Sequence, residues 1–115
     1  MTTINGKRLH IAAFDDKGIA TVLLDGERYG DVKRLQRWDW NGRMRTKGYI
    51  VTFAKHTGLK GFRMDLDLEH FRKAANRNQR RIAQTMHANM KGTVRNVLLE
   101  KYGTDAERAP YQRQA

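Results

Sequence analysis

Between Arg37 and Arg45 the chain places three arginines and two tryptophans within nine residues, RWDWNGRMR. An indole stacks on a nucleobase and a guanidinium pairs with a phosphate, so the combination suits a ligand that is both aromatic and anionic. Such stacking is worth about 1–3 kcal/mol per base in single-strand binders. Trp40 and Tyr49 are the aromatic contacts expected, with Arg37, Arg43, Arg45 and Lys47 as their cationic neighbours. A second cationic set comes later, at Lys73, Arg77, Arg80, Gln84, His87 and Lys91, spaced four, three, four, three, four. On a helix this spacing makes one stripe without an acid, able to follow a row of phosphates. Like charges at i,i+4 cost a helix about 0.2–0.5 kcal/mol each, a repulsion that a bound anion relieves.

The overall charge agrees with such a ligand. The 115 residues carry 23 Lys and Arg against 12 Asp and Glu, a formal net charge of +11. That excess favours a polyanionic partner. It is also segregated. Residues 1–27 hold three basic and four acidic side chains, residues 28–66 ten and three, and residues 67–103 eight and three. The length fits one domain, read as residues 1–103, with 104–115 as a flexible tail. The chain has no cysteine, which excludes disulfides and thiolate metal sites. The opening MTTINGKRLH has no apolar signal core and no window reaches the length of a membrane span, so a soluble, cytoplasmic protein without a membrane partner is expected.

Nothing in the sequence assembles a catalytic site, a metal site or a cofactor site. His10, His56, His70 and His87 are dispersed, and no HExxH, CxxC, P-loop or GxSxG pattern occurs. One stretch, LEHFRKAANRNQRRIAQTMHANMKG at 68–92, resembles the latter part of phage HNH homing nucleases. That resemblance implies His70 as general base, Asn78 as organiser and His87 as metal ligand, on a ββα frame with strands between the first His and the Asn. The hydrophobic pattern of the same stretch is instead that of an uninterrupted helix.

The elements that must position these groups follow from periodicity. Leu9, Ile11 and Ala13 alternate as a strand, DDKG at 15–18 turns the chain, and IATVLL at 19–24 is a second strand. Asp25-Gly26 predicts a type I′ hairpin. Residues 31–40 fit a short helix or a strand. Asn41-Gly42 predicts a two-residue turn that sets Trp40 against Arg43 and Trp38 against Arg45. Tyr49, Val51 and Phe53 then share one strand face, as do Phe62, Met64 and Leu66. From Leu68 the period becomes helical, with Asp67 as N-cap. Leu68, Phe71, Ala75, Ile82, Met86 and Met90 form an apolar stripe interrupted by Gln79. Gly92 fits a helix end, with Thr93 capping a second short helix to Tyr102, or else a kink.

The fold expected is α+β: an antiparallel β-meander of four to five strands, then one long C-terminal helix, broken or not near Gly92, packed on one sheet face. The layout is similar to that of Whirly-type single-strand DNA binders. The function expected is a small, non-enzymatic nucleic-acid-binding protein, DNA ahead of RNA and single strand ahead of duplex. Its contacts are Arg37, Trp40, Arg43, Arg45, Lys47, Tyr49, Lys73, Arg77, Arg80 and Lys91. The alternative is an inhibitor or adaptor, of the kind phages use, whose basic face meets a host protein or nucleoprotein complex. A third reading is a degenerate HNH-like metal nuclease. An exposed edge strand and the cluster Val94, Val97 and Leu98 also suggest a homodimer.

Overall fold

Alternating apolar residues and glycine-bearing turns carry the chain back and forth through one sheet. The computed structural model describes residues 2–38, 42 and 44–111, and of Trp38, Met44 and Leu68 the backbone alone. Its strands are β1 (Thr3–Ile4), β2 (Lys7–Ile11), β3 (Ile19–Leu24), β4 (Glu27–Trp38), β5 (Met44–Phe53) and β6 (Phe62–Asp65). They pair antiparallel in chain order, a six-stranded meander. Asp25 and Gly26 turn β3 into β4 with φ of 48° and 81°, the left-handed conformation a type I′ turn requires. The ambiguous segment 31–40 is strand as far as Trp38.

The helices are α1 (Leu68–Lys73), α2 (Asn76–Tyr102) and α3 (Asp105–Arg108). Asp67 caps α1 by accepting the His70 amide at 3.1 Å. The chain does not break at Gly92. Met86, Met90, Val94 and Leu98, four residues apart, are all buried against the sheet, and their burial outweighs the roughly 1 kcal/mol that a helical glycine costs. Thr93 does not start a helix; its hydroxyl donates to the Asn89 carbonyl one turn back. The break falls instead at Ala74 and Ala75, both extended. There Gln79, the polar residue of the apolar stripe, donates its side-chain amide at 3.0 Å to the Phe71 carbonyl, which also accepts the Ala74 amide at 3.2 Å.

α2 covers one face of the sheet. Ala20, Val22, Leu24, Val32, Tyr49, Val51 and Phe53 form the core with the helix residues just named. The other face carries Ile19, Thr21, Leu23, Lys33, Leu35, Ile50 and Thr52, with the ion pairs Arg28–Asp31 and Arg63–Asp65 at its margins. Val94 and Leu98 are wholly buried inside the subunit, so they present no surface to a second copy. The two outer strands are only two and four residues long, which blunts both sheet edges.

Residues 104–111 form α3 and a 3-10 turn (Ala109–Tyr111) against the start of the chain. Thr104 and Glu107 form a reciprocal capping box on α3. Glu107 also accepts the Asn5 and Gly6 amides at 2.6 and 3.0 Å, and Arg108 donates to the Leu99 and Gly103 carbonyls that end α2. The Gly6, Thr104 and Asn5 amides hold the Glu107 carboxyl down to about 2, from an ordinary 4.5. A depressed carboxyl stabilises the fold above its unfolded pKa and loses that contribution as pH falls through its folded one. The melting-temperature gap between the wild type and Glu107→Gln is therefore expected to shrink as pH is lowered from about 4.5 to about 2, followed by thermal circular dichroism.

Candidate nucleic-acid interface

Strands β4 and β5 outrun their neighbours. The β3 register stops at Ile19 opposite Lys33, and the β6 register stops at Asp65 opposite Gly48. Beyond these points β4 and β5 continue as a two-stranded ribbon, Gln36 opposite Thr46, Arg37 opposite Arg45 and Trp38 opposite Met44. At its base Leu35 pairs with Gly48 and Gln36 with Thr46, leaving Lys47 as the extra residue of a bulge. The Lys47 carbonyl is taken by the Leu66 amide at 2.8 Å. A Cβ on Gly48 would lie 2.4 Å from the Met64 carbonyl oxygen, so only glycine lets β6 approach there.

The register differs from that of a two-residue turn. Arg45 stands opposite Arg37 and Trp38 opposite Met44, so Trp38 does not face Arg45. Trp40 and Arg43 lie outside the described residues.

α2 reaches the same end of the molecule. The Tyr102 ring meets Tyr29 near the start of β4, with centroids 5.6 Å apart, and the His87 ring meets Tyr49, the partner of Arg34, at 6.1 Å. The helix thus runs antiparallel to β4. At 1.5 Å per residue, the turns from His87 back to Asn76 extend about 16 Å further, alongside the ribbon. Phe71 joins the two: the Arg45 guanidinium lies over its ring at 6.0 Å from the centroid, and Gln79 holds its carbonyl.

The cations at this end are mostly exposed. Arg37, Arg72, Arg77, Arg80, Arg81 and Lys91 are exposed, while Arg45 and Lys47 are half-buried. Carboxylates bridge cations at Arg28–Asp31, Lys73–Glu69, Arg63–Asp65 and Arg108–Asp105. Among the described residues, Arg37, Arg77, Arg80, Arg81 and Lys91 have no carboxylate within ion-pair distance. Lys73, expected among the free cations, sits on α1 across the break and pairs with Glu69 at 3.3 Å. Arg81 and Arg72 are cations the sequence stripe omitted. They flank its spacing, and the run of 76–99 with four arginines, one lysine and no acid is the signal that marks Arg81.

One expected contact, Tyr49, and one member of the helix stripe, His87, face inward. Tyr49 is only 4 % exposed, stacked on Phe14 at 5.9 Å beneath His87. Strand alternation puts it on the helix side with Val51 and Phe53, so it cannot receive a base there. Burial raises its pKa, against the opposing pull of Arg34. His87 is half-buried between Phe14 and Tyr49, one position from Met86 and three from Met90, so it belongs to the covered face of α2 rather than to the cationic one. Burial, and then Lys91, lower its pKa. Arg34 lies on the same covered side, its guanidinium 4.9 Å from the Phe14 centroid, and its Nε is buried without a hydrogen-bond partner.

The ββα frame implied by the HNH resemblance is not what 68–92 forms. His70 is on α1, Asn78 and His87 are on α2, and the link between the helices is the extended Ala74–Ala75 pair rather than strands. Among the described residues no cluster of three His, Asp or Glu side chains is placed to hold a metal, and no helix is long and apolar enough to cross a membrane. In comparisons with protein-family models, with curated proteins and with solved structures, nothing matches this chain.

Proposed function

We propose that this protein binds nucleic acid, DNA ahead of RNA, through the end where the β4–β5 ribbon lies beside the first turns of α2. One observation carries this reading: Arg37, Arg77, Arg80 and Arg81 are exposed without a described carboxylate partner, on two elements that reach one end of the fold, and Lys91 continues the row toward the middle of α2. A protein that leaves this end unneutralised tolerates self-repulsion that a phosphate backbone removes. Phosphates then supply most of the affinity, and the ribbon fixes orientation.

The test is the salt dependence of binding to a fluorescent oligonucleotide. With about five phosphates neutralised, log K falls by roughly 4.5 per decade of salt, a loss of about 500-fold between about 50 and 200 mM. A flat titration, or binding that never saturates, removes the electrostatic premise and turns the basic end toward an acidic protein surface.

A further inference from the structure

Resting on that reading, we propose that the ligand is double-stranded DNA and that the exposed face of α2 between Arg77 and Lys91 enters its major groove. Arg77, Arg81, Gln84 and Ala88 are spaced four, three and four, so they form one row along the helix, and all are exposed. The row lies opposite Met86 and Met90, which hold the helix to the sheet. An α-helix with its side chains is about 10–12 Å across, and the B-form major groove is about 12 Å wide and about 8.5 Å deep. From Arg77 to Ala88 the row runs about 16 Å. Its limit toward the C-terminus is Arg95, whose guanidinium lies over the Tyr111 ring at 3.8 Å from the centroid.

The side chains of this row are of the types that read base edges. Arg77 and Arg81 carry the fork that matches the two acceptors of guanine, Gln84 the paired donor and acceptor of adenine, and Ala88 a methyl that packs on that of thymine. Arg80 and Lys91 lie on one flank of the row, exposed and with no described carboxylate partner, where a groove wall presents phosphates. No acid occurs from 76 to 99, so the helix itself presents no charge that repels them. Ala88 keeps the helix low between long side chains, and Gly92, one turn on, does the same. Among the described residues a Cβ on Gly92 would meet only the Arg95 guanidinium, at 3.7 Å, so no contact there calls for a glycine that costs a helix about 1 kcal/mol. A-form RNA closes its major groove to side chains, which sets DNA apart from duplex RNA.

The experiment measures fluorescence anisotropy with duplex DNA, single-stranded DNA and duplex RNA of equal length, at equal salt, on the whole chain. Duplex DNA is expected to bind about tenfold more tightly than either competitor, the worth of one good base-edge contact. Methyl green, a major-groove dye, is expected to compete, and netropsin, held in the minor groove, is not. Ala88→Trp adds bulk without charge at an exposed position, and is expected to weaken duplex DNA binding by about tenfold or more without weakening binding to single strands. Wild-type duplex affinity in that variant overturns the groove assignment, as does equal or tighter binding of single strands or duplex RNA, or displacement by netropsin alone; each leaves the nucleic-acid reading standing. Absence of salt-dependent, saturable binding to all three ligands overturns the broader reading and this one with it.

Discussion

Replacing Arg37, Arg77 and Arg80 together with glutamate is expected to weaken DNA binding at about 150 mM salt by at least a hundredfold and to reduce the salt slope by about 2.7. Each phosphate contact contributes a slope of about 0.9, equivalent to roughly fivefold in affinity at that salt, so three lost contacts multiply to this size. Charge reversal adds repulsion to the loss. The three residues come from both elements of the proposed interface, and all are exposed. Arg45 is left intact because its side chain also lies over Phe71. The variant should fold at least as well as the wild type. The first turn of α2 has no acid and Ala75 gives it no side-chain cap, so a glutamate at position 77 meets the positive end of the helix dipole, a gain of about 0.3–1 kcal/mol. A melting temperature at or above the wild type, with binding lost, is the paired result. Unchanged affinity in the folded variant would remove this end of the molecule from the interface.

Leu98→Ala is expected to cost about 2–5 kcal/mol, which lowers the melting temperature by roughly 10–20 °C. Leu98 is wholly buried and is the last of the four α2 residues spaced by four that hold the helix to the sheet. The truncation removes apolar contact and leaves a cavity that the close-packed strands cannot collapse to fill. Gln84→Ala, on the exposed side of the same helix, is the control and should stay within about 0.5 kcal/mol of the wild type. A denaturant titration on both variants measures the difference. An equal response would mean that α2 does not pack on the sheet through this row.

The meander was legible because each strand keeps its apolar residues two apart and because Asp25-Gly26 fits only a turn of positive φ. The break between α1 and α2 was not. Ala74 and Ala75 are strong helix formers and carry no local stop signal; the break is set by tertiary packing, and its one trace in the sequence is Gln79 sitting within an apolar row. At Gly92 the sequence left a helix end and a continuous helix both open, and the four buried residues around it decide for continuity. The Asn5-Gly6 pair, with φ of 53° and 76°, signalled the hairpin of β1 and β2 as clearly as Asp25-Gly26 did, yet the two-residue strand before it is too short to show a period. At the candidate site, the exposed arginines followed from charge spacing. The orientations of Tyr49 and His87 did not, because amphipathic residues at the margin of a stripe are assigned by the partner that covers them, here Phe14.

The contact of the final turns with the first hairpin brings distant parts of the sequence together. The Thr2 hydroxyl and the Tyr111 phenol are 3.3 Å apart, and Glu107 grips the Asn5–Gly6 turn, all near the C-terminal end of α2. A short linker can therefore join residues 2 and 111, and circular permutants opened in the exposed DDKG turn should retain the sheet. A fluorophore, surface tether or fused enzyme attached at either of these positions hangs at the opposite pole from the arginine-rich ribbon, with α2 as a rigid spacer of about 40 Å between cargo and ribbon.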